Sequence, residues 1–181
     1  IEMDAKPGTV VEVKREWKNN DIMTLDFPME LNYETYHEGS RAIERGPLVF
    51  ALDIPGEEKE VFLADNEKVA YGDSFIEVRP KADWNFGLPL FNKKDMNSLF
   101  QLSESANPNK LNPWNRENAP LALKVKARQL PFWKLYNGMA GPLPSADMYG
   151  LNLNDLEEVE IRLIPYGCTT LRISQFPMLR K

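Results

Sequence analysis

Leu121-Ala122-Leu123-Lys124-Val125-Lys126-Ala127 alternates strictly. Successive side chains of an extended chain point to opposite faces, so Leu121, Leu123, Val125 and Ala127 share an inward side. Lys124, Lys126 and Arg128 follow the same period on the other side and read as the wet face of a strand, not as a basic patch. This half-buried strand sets the pattern against which the rest of the chain is read.

Moving outward, Val159, Ile161 and Leu163 alternate with Glu160 and Arg162. Pro165-Tyr166-Gly167 makes a turn, and Leu171 and Ile173 line a last strand. Toward the N-terminus, Leu48-Val49-Phe50-Ala51-Leu52 is a short apolar run behind Gly46-Pro47, which favours a buried strand over a helix. Strands are also expected over 29–36, 41–45, 60–64 and 74–79. Val11, Val13 and Trp17 share one face of 9–17, and Met23, Leu25 and Phe27 share one face of 22–27. Lys18-Asn19-Asn20-Asp21 supplies turn chemistry between them, so the two stretches read as an antiparallel hairpin.

Two stretches read as irregular. Residues 81–118 hold three prolines and eight asparagines, which predicts mostly loop with one short strand at 98–102. Residues 131–144 form the second. Residues 154–160 have room for one helical turn at most, with Asn154 or Asp155 as cap. Pro55-Gly56-Glu57-Glu58-Lys59-Glu60 joins a turn dipeptide to a charge run and reads as a linker. About ten short strands and no three-turn amphipathic helix predict an all-β fold, an antiparallel β-sandwich or jelly roll.

The fourteen prolines and ten glycines are dispersed among 181 residues, which suits many short strands joined by turns. A chain of this size hides roughly 70% of its unfolded surface. The net charge is −5 with the signs interspersed, against the clustered Lys and Arg that nucleic-acid binding needs. No apolar run reaches the roughly 18 residues that span a bilayer, and no signal peptide is visible. The chain begins at Ile1, not Met, which suggests an excised segment with any targeting signal upstream.

Reactive groups are sparse. Cys168 is the one cysteine and His37 the one histidine, and nothing local brings them together as nucleophile and base. Cysteine is ordinarily a small core residue. One residue of each type does not make a zinc site, and no Asp-x-Asp-x-Asp loop offers calcium ligands. Gly-rich phosphate-binding spacing does not occur. Glu57-Glu58 and Glu157-Glu158 are carboxylate pairs of the kind used in glycoside hydrolysis, but each reads as solvated. No catalytic, metal-binding or cofactor-binding residue is assigned. Trp84, Trp114, Trp133 and Tyr136 lie in Pro- and Asn-rich loops. An exposed indole there offers an apolar face and a polar edge, so Trp84, Trp133 and Tyr136 are named as candidate carbohydrate contacts.

Five stretches resemble one family in the family's own order. Residues 17–29, Trp-Lys-Asn-Asn-Asp-Ile-Met-Thr-Leu-Asp-Phe-Pro-Met, are similar to a "tryptophan, turn, Gly-Asp, strand, Leu-Pro-Met" signature. Residues 41–50, Arg-Ala-Ile-Glu-Arg-Gly-Pro-Leu-Val-Phe, resemble its "Arg-Gly-Pro-Leu-Val-Tyr" strand. Asp83-Trp84-Asn85-Phe86-Gly87-Leu88, residues 133–144 and residues 163–173 look like its later stretches. The family is the bacterial glycoside hydrolases that include β-L-arabinofuranosidases. Asn20 stands where the family often has Gly, and Phe50 where Tyr is usual.

The resemblance implies an accessory role. Family members carry an N-terminal (α/α)6 barrel holding a zinc-bound cysteine nucleophile, further Cys ligands and a glutamate, followed by two β-sandwiches. This chain matches only the sandwich region, so none of the catalytic positions has a counterpart, and Cys168 falls in a C-terminal strand motif. Residues 1–55 would be trailing strands of a first sandwich and 56–181 a second, or the two pack as one unit. The implied function is a non-catalytic structural and interface module, with carbohydrate binding through loop aromatics as the alternative. The implied partners are the parent's (α/α)6 catalytic domain, a second copy in a homodimer, and a plant-type oligosaccharide, with no nucleic acid and no membrane. Periplasmic or extracellular placement follows from the resemblance alone. A cut through the first sandwich should leave apolar surface uncovered.

Overall fold

The computed structural model describes residues 2–65, 67–68, 72–105, 112–145 and 153–180. Its strands are β1 (Leu31–Thr35), β2 (Arg41–Arg45), β3 (Leu48–Leu52), β4 (Gly56–Phe62), β5 (Ser74–Pro80), β6 (Phe86–Pro89), β7 (Gln101–Glu104), β8 (Leu121–Gln129), β9 (Leu135–Tyr136), β10 (Met139–Ala140), β11 (Glu158–Pro165) and β12 (Met178–Leu179). A single turn of α-helix, α1 (Met96–Leu99), precedes β7. The fold is all-β, and its main feature is one curled eight-stranded sheet.

The sheet runs β1-β2-β3-β11-β8-β6-β12, with β7 sharing with β6 the edge of β8 that faces away from β11. β8 and β11 are central, paired from Glu158↔Arg128 to Leu163↔Leu123. On their wet face Lys126 and Arg128 each reach Glu158 at 2.9 Å, and Lys124 reaches Glu160 at 3.1 Å. These cross-strand pairs fit the alternating period but stabilise little, because solvent screens them. The Lys126 ammonium holds the Glu158 carboxyl below the usual carboxylate range, with Arg128 adding to the effect. The opposite face buries Leu123, Val125, Ala127, Ile161 and Leu163, which join Ile43, Phe50, Leu88, Phe91 and Phe100 in one core.

The sheet curls until its two sides meet. Arg41 and Phe176 exchange backbone hydrogen bonds at 3.0 and 2.9 Å. Leu88 N–H donates to the Pro177 carbonyl at 2.9 Å, and β12 lies parallel to β6. Residues 173–179 therefore stitch β2 and β3 to β6, and Phe176 fills the centre. The Arg41 guanidinium lies 3.9 Å from the Tyr33 ring centroid and backs this seam. At the β2–β3 turn Gly46 takes a φ of 55°, and the Met29 side chain occupies the space a Cβ there would need. That is the structural content of Arg45-Gly46-Pro47.

Several expectations are corrected. Residues 9–17 and 22–27 form no ladder, and apart from the half-buried Val13 their apolar side chains stand in solvent, with Ile22 86% and Phe27 73% exposed. Alternation describes any extended chain; a strand also needs a neighbour to pair with. The expected linker at 55–60 is instead the start of β4, paired with β5 from Gly56↔Pro80 to Phe62↔Ser74. Its charge run is accommodated because a two-stranded ribbon is wet along most of its length. The short strand expected at 98–102 is displaced to β7 because a capping box between Asn92 and Asp95 starts a helical turn first. The last strand is β12, not 171–173, and it adds a parallel pair to an otherwise antiparallel sheet. The irregular stretch 131–144 contains the β9–β10 hairpin, turned by Asn137 and Gly138 with φ of 51° and 78°. Positive φ at both central residues is the type I′ signature of Asn-Gly. The helical turn expected within 154–160 is a single 3-10 turn at Leu153–Asp155, and β11 takes over from Glu158. Strands from either side of residue 55 lie hydrogen-bonded in the same sheet.

Candidate functional site

Cys168 is buried, and its thiol donates to the Pro113 carbonyl at 3.2 Å. His37 sits in an exposed turn with Nε2 3.3 Å from Glu38. The two share no hydrogen bond among the described residues. No group of three or more His, Cys, Asp or Glu among the described residues is placed to hold a metal ion. Glu57 faces Lys81 at 4.0 Å, and Glu158 is engaged by Lys126 and Arg128.

Burial pushes the Cys168 thiol above its ordinary range, against a smaller opposing pull from Arg162. The thiolate is the reactive form, so this cysteine is chemically quiet while the fold is intact. Ellman's reagent at neutral pH is expected to react far more slowly with the native chain than with the urea-unfolded chain. The sign for stability follows from the raised value. The unfolded chain releases its thiol proton first as pH rises, so this contribution is complete below the ordinary thiol range and lost above it. Equal reaction rates in native and unfolded chains would show that the thiol is open.

The candidate aromatics divide sharply. Trp133 is only 4% exposed; its indole N–H donates to the Gly141 carbonyl at 3.0 Å, and its ring meets Trp84 edge-on at 5.0 Å. Trp133 therefore holds the 131–144 loop to the sheet and presents no platform. Trp84 is half-buried against it, and Tyr136 stands exposed on the β9–β10 hairpin. Trp114 is different: it is 60% exposed and forms one wall of a cleft of about 410 Å³.

This cleft lies where the β4–β5 ribbon, the 112–118 loop and the segment 167–172 converge. Glu58, Arg116, Glu117, Thr170 and Arg172 line the cleft with Trp114. Gly167 lies against the Trp114 ring, since a Cβ there would come within 3.1 Å of Cε3. Two clamps fix the loop. Cys168 engages the Pro113 carbonyl on one side of Trp114, and Asp53 engages Arg116 on the other. Asp53 also holds Arg162 of β11, and its carboxylate side chain is only 6% exposed. The Arg172 guanidinium lies over Tyr166, and its Nε–H donates to the Thr169 carbonyl at 2.9 Å. Trp114 also borders a second depression of about 330 Å³, lined by Pro47, Leu48 and Tyr166.

Asp53 escaped the sequence reading because its partners are 63 and 109 residues away along the chain. No local pattern marks such a contact. Trp114 carried a signal, as an aromatic in an Asn- and Pro-rich loop, but nothing in the sequence ranks it above Trp133. No protein-family model, curated protein or solved structure matches this chain. Among the described residues no helix is long and apolar enough to cross a membrane.

Proposed function

We propose that this chain is a non-catalytic accessory module of a glycoside hydrolase of the β-L-arabinofuranosidase type, which docks on a neighbouring domain through residues 10–27. The curled sheet is, on this reading, the body of a β-sandwich or jelly roll. The family assignment is supported by the five motif stretches in order. The docking role is carried by one observation: Val10 before the turn at 18–21, and Ile22, Met23, Leu25 and Phe27 after it, have their apolar side chains in solvent. Large apolar side chains exposed together mark a surface that another surface covers. Residues 22–27 belong to no ladder, which suits the addition of a strand.

The test uses the triple substitution Ile22→Ser, Leu25→Ser, Phe27→Ser in the whole chain. Because these side chains are exposed, the unfolding free energy should stay within about 0.5 kcal/mol of that of the unsubstituted chain, the range usual for surface changes. Fluorescence of an apolar dye, and self-association seen by light scattering at high concentration, should both fall. A parent chain that is monomeric and binds no dye would contradict the docking role. So would a triple variant that melts well below the parent, since that would mean the segment packs on its own sheet.

A further inference from the structure

We propose that the cleft beside Trp114 is a binding site for a neutral oligosaccharide, a role independent of docking through residues 10–27. The first argument is preorganisation. The indole is exposed, yet it rests on Gly167 and its loop is clamped through Pro113 and Arg116. A plate already held in place loses little conformational freedom when a ligand lands on it.

The second argument is the chemistry of the rim. Glu58 and Glu117 offer acceptors, while Arg116, Arg172 and Thr170 offer donors. Charges of both signs face the same space. A polyphosphate would meet two carboxylates there, and a polycation two guanidinium groups. A neutral polyol can donate to the first and accept from the second. A sugar ring also has a flat face of C–H groups, which suits contact with an indole face that is apolar and bordered by polar groups.

The third argument is extent. The cleft of about 410 Å³ falls within the range of small-molecule sites, roughly 300–1,000 Å³. Trp114 also borders the depression that holds Pro47 and Tyr166. Because both hollows border Trp114, a ligand of several rings can reach from one into the other, whereas a monosaccharide can use one. The geometry thus favours a chain of sugars over a single ring.

The experiment titrates the whole chain with tetrasaccharides of L-arabinose, xylose and glucose, with the matching monosaccharides, and with short-chain polyphosphate. Calorimetry gives affinity, and the indole N–H resonances in a ¹⁵N correlation spectrum report which tryptophan is touched. At least one tetrasaccharide should bind in the submillimolar to millimolar range, shift the Trp114 resonance and leave Trp133 in place. Its monosaccharide should bind more weakly. Trp114→Ala should weaken binding roughly tenfold or more, equivalent to about 1.4 kcal/mol, while Tyr136→Ala leaves it unchanged. If Trp114→Ala does not fold, Trp114→Phe serves, with partial retention expected. The proposal is overturned if no saccharide moves the Trp114 resonance at about 10 mM, which fills about 90% of a site whose Kd is about 1 mM. It is equally overturned if binding survives loss of the indole, or if polyphosphate binds more tightly than every saccharide.

Discussion

Phe176→Ala should lower the stability of this chain by about 3–5 kcal/mol, the usual cost of deleting a buried phenyl ring. The ring is fully buried at the centre of the core. Its backbone exchanges hydrogen bonds with Arg41, the contact at which the curled sheet closes on itself. Truncation leaves a cavity where the last segment meets β2, and the walls around it come from strands already fixed by their own ladders. They have little freedom to collapse inward, so the upper part of that range applies. Phe176→Leu retains most of the volume and should cost less than about 1.5 kcal/mol. Equilibrium unfolding in urea measures both, provided the transition is a single cooperative step. A loss under about 1 kcal/mol for Phe176→Ala would mean that the seam is not part of the stable fold.

Asp53→Ala should cost about 2–3 kcal/mol, because hydrogen bonds to a charged group contribute more than neutral ones. One nearly buried carboxylate holds two guanidinium groups, from Arg116 in the cleft loop and Arg162 in β11. Both arginines are partly in water, so losing the carboxylate does not strand them as fully buried charges. That limits the loss. Asp53→Asn keeps the shape and part of the hydrogen bonding, and should fall between the parent and the alanine variant. The more specific effect is on Trp114, whose loop loses one of its two clamps. Acrylamide quenching of the indole fluorescence should increase in Asp53→Ala, and saccharide affinity should fall with it. Unchanged quenching and unchanged stability together would show that the loop is held by other contacts.

The elements that were legible are those whose side chains sort by face. β8 and β11 follow directly from 121–127 and 159–163, because burial on one face leaves a period that sequence records, and β3 from the short apolar run at 48–52 behind Gly46-Pro47. The β9–β10 hairpin was also written in the chain, in Asn137-Gly138, although the surrounding prolines and glycines obscured it. Residues 9–27 carry the same period as β8 and yet pair with nothing in the described structure. The period there records a face suited to burial, not the presence of the surface that buries it. β12 is two residues long and pairs in parallel with a strand 90 positions away in register, Met178 with Leu88. Nothing so short leaves a pattern.

The amino-acid sequence by itself determined that this is a strand-forming chain, which faces of its central strands are wet, and where some of its turns fall, as at Gly46-Pro47 and Pro165-Tyr166-Gly167. These properties depend on neighbours within a few residues, through alternation, proline and glycine. Tertiary structure alone decided that the last segment closes the sheet against Arg41, that Trp133 is buried while Trp114 is offered to solvent, and that Asp53 braces the cleft. Each of those outcomes rests on contacts between residues far apart in the chain, where the geometry of the assembled sheet, not any local preference, selects the partner.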